Sequence, residues 1–311
     1  MIIKILITGG AGNVGGALAR ELVLNSYIEV TILDNLSTGM VDKLPSNDYK
    51  NWSFINADVN NFSEVSKIMF NNNFDYVFHY AAVVGVQRTL SNPKSVLDDI
   101  DGVRNILELS RKTKVKRVFY SSSSEVYGEP VEIPQNEDKT PLNSKLPYAI
   151  VKNVAEAYLR SYQSMYGLSF TIFRFFNTFG PLQSDDFVMT RFIKQAMNGE
   201  DITINGDGLQ TRTFCYIGDN IEATIKCMNH DFFINEVINI GSDYEVTILE
   251  LAKIIIEVTG SNSIISHKPA LKQGDMKRRK PDISKMKLLM NREMVSLREG
   301  IRLVYLDFLN K

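Results

Sequence analysis

TGGAGNVGGALARELV, Thr8 to Val23, decides how the rest of this chain is read. Gly9, Gly12 and Gly15 recur at every third position, directly after the apolar run IIKILIT and at the start of a helix-periodic segment. In that context the glycines permit a tight turn, a close backbone approach to a pyrophosphate, and close packing of helix on strand. The helix N-terminus then offers N–H groups and the positive end of its dipole to the phosphates. The next strand pattern, EVTILD, ends at Asp34. A carboxylate at that tip bonds a ribose 2′-hydroxyl and repels a 2′-phosphate, which predicts NAD rather than NADP. Asp58, in NADV after the third strand pattern, is placed to meet the adenine or to cap a surface turn.

Outward from this turn the chain alternates. The runs IIKILIT, EVTILD, WSFINAD, DYVFHYAA, KRVFYSSS and SFTIFRFF are each parted from the next by a polar or helix-periodic segment. Continuous apolar strands between helices imply a parallel sheet covered on both faces, a doubly wound α/β Rossmann domain. Beyond RFFNTFGP the rhythm changes to longer helical patterns and short strands. The expected organisation is therefore a Rossmann domain over 1–178 and a smaller α/β domain over 179–311, with segments around 214–241 returning to the first domain. A length of 311 residues with 44% hydrophobic content supports such a core.

With 35 basic against 36 acidic residues, no global field favours nucleic acid or an anionic membrane, so a bound anion must be held by local groups. Cys215 and Cys227 are too few for a disulfide framework, and three scattered histidines form no metal cluster; no metal is expected, and the compartment is read as reducing and cytoplasmic. The apolar N-terminus runs into the glycine turn too soon for a signal peptide or membrane span, and no repeat or low-complexity tract follows.

Two further stretches carry chemistry. YSSSSEVYGEP, Tyr120 to Pro130, sets four hydroxyls and then a carboxylate after the strand pattern VKRVFY. LPYAIVKNVAEAYLRSY places Tyr148 and Lys152 four apart at the start of a helical pattern, so both side chains share one face. A tyrosine is a poor base at neutral pH, but a neighbouring ammonium and a positively charged nicotinamide favour the phenolate, which then takes a proton from a sugar hydroxyl while hydride leaves the same carbon. YxxxK alone is a weak signal. Joined to the glycine turn, Asp34 and a serine run on the intervening strand, it becomes specific.

With these features the chain resembles the extended short-chain dehydrogenase/reductase family, in particular its NAD-dependent nucleotide-sugar epimerases, dehydratases and decarboxylases. TGGAGNVG, DNLSTG, HYAAVVGV, SSSSEVYG, PYAIVK, RFFNTFGP, GDGLQTRTFCYIGD and RRKPDISK occur in the family's order across nearly the whole chain. The resemblance implies a Rossmann domain carrying NAD and a smaller C-terminal domain gripping a nucleotide-diphosphate sugar. Catalysis would fall to Ser123, Tyr148 and Lys152, with Glu125 beside them. Gly9, Gly12, Asn13, Val14, Gly15, Asp34, Asn35, Asp58, Val59 and Ala81, together with Tyr148 and Lys152, would hold the cofactor. Ser124, Asn177, Arg212, Arg279 and Asp282 would hold the substrate, because arginine forks match phosphate oxygens. The resemblance also implies a homodimer built on the helical patterns at Ser95–Arg111 and Tyr148–Tyr166, with no nucleic-acid or membrane partner.

The reaction stays open between outcomes that share oxidation at C4. The favoured expectation is a 4-epimerase or 4-dehydrogenase, extending to a GDP-activated heptose or hexose. The alternative is a decarboxylase of the UDP-glucuronate type, or a 4,6-dehydratase, using Glu125 as a base at C5; otherwise Glu125 positions substrate hydroxyls. Ser124 stands where dehydratases carry an Asp acid, and Arg278 is the candidate partner for a substrate carboxylate. A non-enzymatic NAD-binding regulator of the same fold is the remaining alternative, and the presence of both Tyr148 and Lys152 argues against it. Two departures stand out: Asp99 in DIDGV where the family usually has Asn, and LLMNREMVSLREGI without the usual Gly-Trp of LGWxP.

Overall fold

The computed structural model describes residues 2–270 and 278–310, and every structural statement concerns these. β1 (Ile3–Thr8) buries Ile5, Leu6 and Ile7 completely and feeds the glycine turn into α1 (Asn13–Leu22). The pattern continues through β2 (Ile28–Asp34), β3 (Trp52–Asn56), α2 (Phe62–Asn72), β4 (Tyr76–His79), α3 (Val86–Ser91), α4 (Pro93–Thr113), β5 (Arg117–Ser123), α5 (Pro147–Tyr166) and β6 (Ser169–Phe175). Later come β7 (Thr178–Phe179), α6 (Val188–Met197), β8 (Ile202–Asn205), β9 (Thr211–Thr213), β10 (Cys215–Tyr216), α7 (Ile217–Met228), β11 (Glu236–Ile240), β12 (Glu245–Thr247), α8 (Ile248–Thr259), β13 (Ile265–Lys268), α9 (Ser284–Leu289) and α10 (Leu297–Leu309).

Among the described residues one seven-stranded sheet dominates, in the order β11-β6-β5-β4-β1-β2-β3. β1 runs parallel to both β2 and β4, pairing Thr8 with Leu33 on one side and with His79 on the other. The chain therefore reverses its direction of winding at β1 and β4, and ligands in such sheets bind beyond the carboxyl ends at that point. Asp34, His79 and the serines of β5 all lie at those carboxyl ends. The Rossmann expectation from the alternating strands is met.

Two compact units share the chain. The first comprises Met1–Val126, Lys145–Arg174 and Cys227–Ile238; the second comprises Tyr127–Ser144, Phe175–Lys226 and Asn239–Lys311. One face of the first unit's sheet packs Leu6, Val77, Val118 and Ile172 against Val65 and Met69 of α2, Ile106 and Leu107 of α4, and Ala155 and Leu159 of α5. The second unit has its own core, in which Phe192 and Ile193 of α6 meet Ile202 and Ile204 of β8, Leu251 and Ile255 of α8, and Ile301 and Val304 of α10. α8 begins with a reciprocal capping box: the Glu250 N–H donates to Thr247 Oγ1 at 3.0 Å, and the Thr247 N–H donates to the Glu250 carboxylate at 2.9 Å. No helix among the described residues is long and apolar enough to cross a membrane.

Candidate active site

At the glycine turn the Gly9 N–H donates to the Leu33 carbonyl at 2.8 Å, and the Gly12 N–H closes onto the Gly9 carbonyl at 3.0 Å. Gly9 has φ +70°, and a Cβ there would lie 2.5 Å from the Ala81 amide nitrogen, so the turn needs glycine both for its dihedral and for the close pass of the chain after β4. Gly12 precedes α1 in an extended conformation with no side-chain cap on the helix N-terminus. Asn13 adds a buried side-chain oxygen with no hydrogen-bond partner among the described residues. An uncapped dipole end behind a glycine, with an orphaned polar atom beside it, suits a dinucleotide's pyrophosphate. Val14 and Gly15 follow in the first turn of the same helix.

Asp34 is buried at the tip of β2, where it accepts the Ala11 N–H at 3.0 Å and the Leu36 N–H at 2.8 Å. The Met40 N–H returns to the Ala11 carbonyl at 2.9 Å, folding the segment after β2 against the glycine turn. Beyond β3, the Asn35 side-chain amide donates to Asp58 at 3.3 Å, and Val59 is buried beside it. The Ala81 N–H donates to Thr8 Oγ1 at 3.3 Å, and that hydroxyl lies 2.7 Å from His79 Nδ1. Burial pushes the His79 imidazole down to about 3, so it stays neutral at physiological pH.

The serine run divides its tasks. Ser121 Oγ donates to the His79 carbonyl at 3.3 Å, while its own carbonyl accepts the Lys152 ammonium at 2.6 Å. Ser122 Oγ donates to Glu156 at 2.6 Å. Ser123 Oγ accepts the Glu125 N–H at 3.2 Å, which fixes the turn that carries the carboxylate, and Ser124 is buried. On α5, Lys152 is buried with its ammonium 5.7 Å from the Tyr148 ring centre and 4.8 Å from that of Tyr120. Desolvation brings the Lys152 ammonium down to about 8, against the opposing pull of Asp99 and Glu156. Tyr120 moves the other way: burial holds its hydroxyl well above the usual tyrosine range, so it remains a protonated wall.

Two participants, Glu156 and His79, escaped the sequence reading, and Asp99 enters it only as a departure from the family's Asn. Glu156 receives the Ser122 hydroxyl and a two-pronged bond from Arg174 at 3.0 and 2.7 Å, all buried. Its position four residues after Lys152 was a legible signal, but its partner on β6 was not. His79 locks the β1 and β4 ends together through Thr8. Asp99, on α4, accepts the Val83 N–H at 2.7 Å, and its burial raises the carboxyl to about 6.

In the second unit, Asn177 donates to the Thr213 carbonyl at 3.0 Å, and Arg212, nearly buried on β9, donates to the Thr211 carbonyl at 2.8 Å. Arg279 is buried. Asp282 accepts from Asn136 at 2.9 Å and from the Ser284 hydroxyl at 2.6 Å, so both its oxygens are held in the turn before α9. Arg278 is gripped by both oxygens of Glu245, at 2.6 and 2.8 Å, which holds that carboxyl down at about 2. Tyr127 is buried and donates to Asn239 at 2.7 Å.

The model of the NAD dependent epimerase/dehydratase family matches residues 5–241. The chain belongs to that family. It is 39% identical, over 91% of its length and 90% of the relative's, to the UDP-N-acetyl-alpha-D-glucosaminuronate decarboxylase of Bacillus cytotoxicus. It is 36% identical, over 96% of both chains, to a putative UDP-glucose 4-epimerase of Methanocaldococcus jannaschii. Among solved structures, the UDP-glucose 4-epimerase of Thermotoga maritima with UDP-glucose superposes with a TM-score of 0.92 at 32% identity, covering 99% of each chain. The family resemblance, the NAD cofactor and the enzymatic class inferred from the motifs agree with these matches. The chain is an enzyme of the nucleotide-sugar epimerase, decarboxylase and dehydratase group.

Proposed function

We propose that this family member oxidises C4 of a UDP-linked sugar and re-reduces it on the other face, acting as a 4-epimerase. The observation that carries the reading is the buried Lys152 ammonium, bonded to the Ser121 carbonyl and lying against the Tyr148 ring, at the carboxyl end of β5. Ser123 Oγ, two residues past the lysine's anchor, is the proposed second contact to the 4-hydroxyl. NAD, when bound, would supply the acceptor for the C4 hydride and the donor for its return. Tyr148 holds the proton from the 4-hydroxyl in the interval and returns it, and C4 is inverted when the keto sugar has turned over in the site so that the hydride comes back to its opposite face. Asn177, Arg212 and Arg279 are the proposed holders of the diphosphate, and Asp282 is proposed for the nucleotide's ribose.

A decarboxylase is the second reading, favoured by the position of Glu125 and by the name of the Bacillus cytotoxicus relative. It requires a cation for the sugar carboxylate, and the candidate, Arg278, already spends its fork on Glu245. That pairing supports the epimerase. The direct test is product analysis by NMR with UDP-glucose, UDP-glucuronate and their N-acetylated counterparts, using Tyr148→Phe as the control. The variant should fold and bind NAD but lose turnover by about a hundred- to ten-thousandfold. Near-normal turnover would remove Tyr148 from the mechanism.

We also infer a homodimer. α4 and α5 pack together and leave Leu97, Ile150 and Val154 exposed, an apolar surface suited to the same pair of helices from a second copy. Sedimentation at micromolar concentration should show a dimer that Val154→Arg splits; a monomeric wild type contradicts it.

A further inference from the structure

Asn136 stands in a turn that leaves its side chain one orientation. Its Oδ1 accepts the Asp138 N–H at 3.0 Å and the Lys139 N–H at 3.2 Å, so the amide nitrogen must point away from the turn, and there it donates to Asp282 Oδ2 at 2.9 Å. The turn is itself held: the Asn136 N–H donates to Thr140 Oγ1 at 2.8 Å, and the Lys285 ammonium of α9 lies 3.1 Å from the Asp138 carboxylate. Behind the pair, the Gln135 N–H donates to the Lys280 carbonyl and the Asp282 N–H to the Gln135 carbonyl, both at 2.8 Å. The buried Asn239 amide donates to the Gln135 and Asp282 carbonyls at 2.9 and 3.1 Å. Backbone and side-chain bonds together fix Asn136 and Asp282 relative to one another.

The bonding capacity left over is specific. A carboxylate offers about four acceptor positions. Asp282 Oδ1 spends two on the Ser284 N–H at 2.9 Å and the Ser284 hydroxyl at 2.6 Å, and Oδ2 spends one on Asn136, which leaves one, on Oδ2. The Asn136 amide nitrogen carries two protons, and among the described residues it donates to Asp282 alone. An open acceptor and an open donor therefore lie 2.9 Å apart on two half-buried side chains. A hydroxyl both donates and accepts, so a single hydroxyl satisfies the two at once. Resting on the reading that Asp282 meets the nucleotide's ribose, we propose that Asn136 is a second ribose contact: its amide donates to the oxygen of the same hydroxyl whose proton Asp282 Oδ2 accepts. Because Asp282 has one position left, the pair reads one ribose hydroxyl and not the diol.

The test is calorimetric binding of UDP, 2′-deoxy-UDP and 3′-deoxy-UDP to the full-length, NAD-bound protein. Wild type should bind one of the two analogues about ten- to a hundredfold more weakly than UDP, the loss expected when a hydrogen bond to a charged group goes unmade. Asn136→Ser keeps an oxygen for the amides of the turn but is too short to reach Asp282. Asp282→Asn keeps an oxygen for Ser284 and turns the open acceptor into a donor. Each variant should cut the preference against that same analogue to within about threefold, while the analogue's own affinity, the melting temperature and NAD binding stay near wild type. The proposal is overturned if Asn136→Ser weakens UDP and both analogues alike, the mark of a residue that only shapes the turn. It is also overturned if Asn136→Ser keeps the wild-type preference while Asp282→Asn loses it, and Asp282 is then the ribose residue alone. If UDP does not bind, if wild type prefers it to neither analogue, or if Asp282→Asn keeps the preference, the ribose reading falls and the pair with it.

Discussion

Asp34 gives its two oxygens to the Ala11 and Leu36 N–H groups, so its charge sits fixed beside the glycine turn rather than swinging free. A phosphate on the ribose 2′-oxygen would meet that anion at close range. NAD should therefore bind more tightly than NADP by on the order of a hundredfold or more, measured by titration of cofactor-stripped protein. Equal affinities would contradict it. The carboxylate itself was readable as the last residue of a strand pattern; its two backbone partners were not, because Ala11 lies in the turn after another strand. The same holds for the serine run. A row of hydroxyls after a strand pattern announces a site, but which serine faces Glu156 or His79 depends on residues tens of positions away.

At the scale of elements, α5 carries the chemistry and its own support on one face. Tyr148, Lys152 and Glu156 succeed one another at a four-residue spacing, and Pro147 starts the helix without needing an N–H partner. Glu156 then fastens α5 to β6 through Arg174 and to β5 through Ser122. A buried ion pair is costly to break from one side, because the remaining charge is stranded. Arg174→Met should lower stability to urea by about 3–5 kcal/mol, and combining it with Glu156→Leu should recover much of that loss. A loss below about 1 kcal/mol from the single variant would mean that water or another group replaces the arginine. The helix and its tyrosine and lysine were plain from periodicity. The fastening was not, since nothing in local sequence pairs Glu156 with a strand residue that the helix reaches only after the chain has turned back.

For the whole molecule, the glycine turn and the alternating apolar runs were enough to predict the doubly wound sheet, because parallel strands buried on both faces leave that mark in any sequence. The identity of the reaction is less legible, as epimerisation and decarboxylation share every residue needed to oxidise C4 and part only at C5. Glu125 stands at that parting, next to Ser124 rather than an acid, and Arg278 is clasped by Glu245. The measurement that separates the two is turnover in deuterium oxide, with proton NMR of the products from UDP-glucose, UDP-glucuronate and their N-acetylated forms. The account predicts a product inverted at C4, with the original hydrogen still on C5 and no carbon dioxide released. A pentose product carrying deuterium at C5 would contradict it and establish decarboxylation.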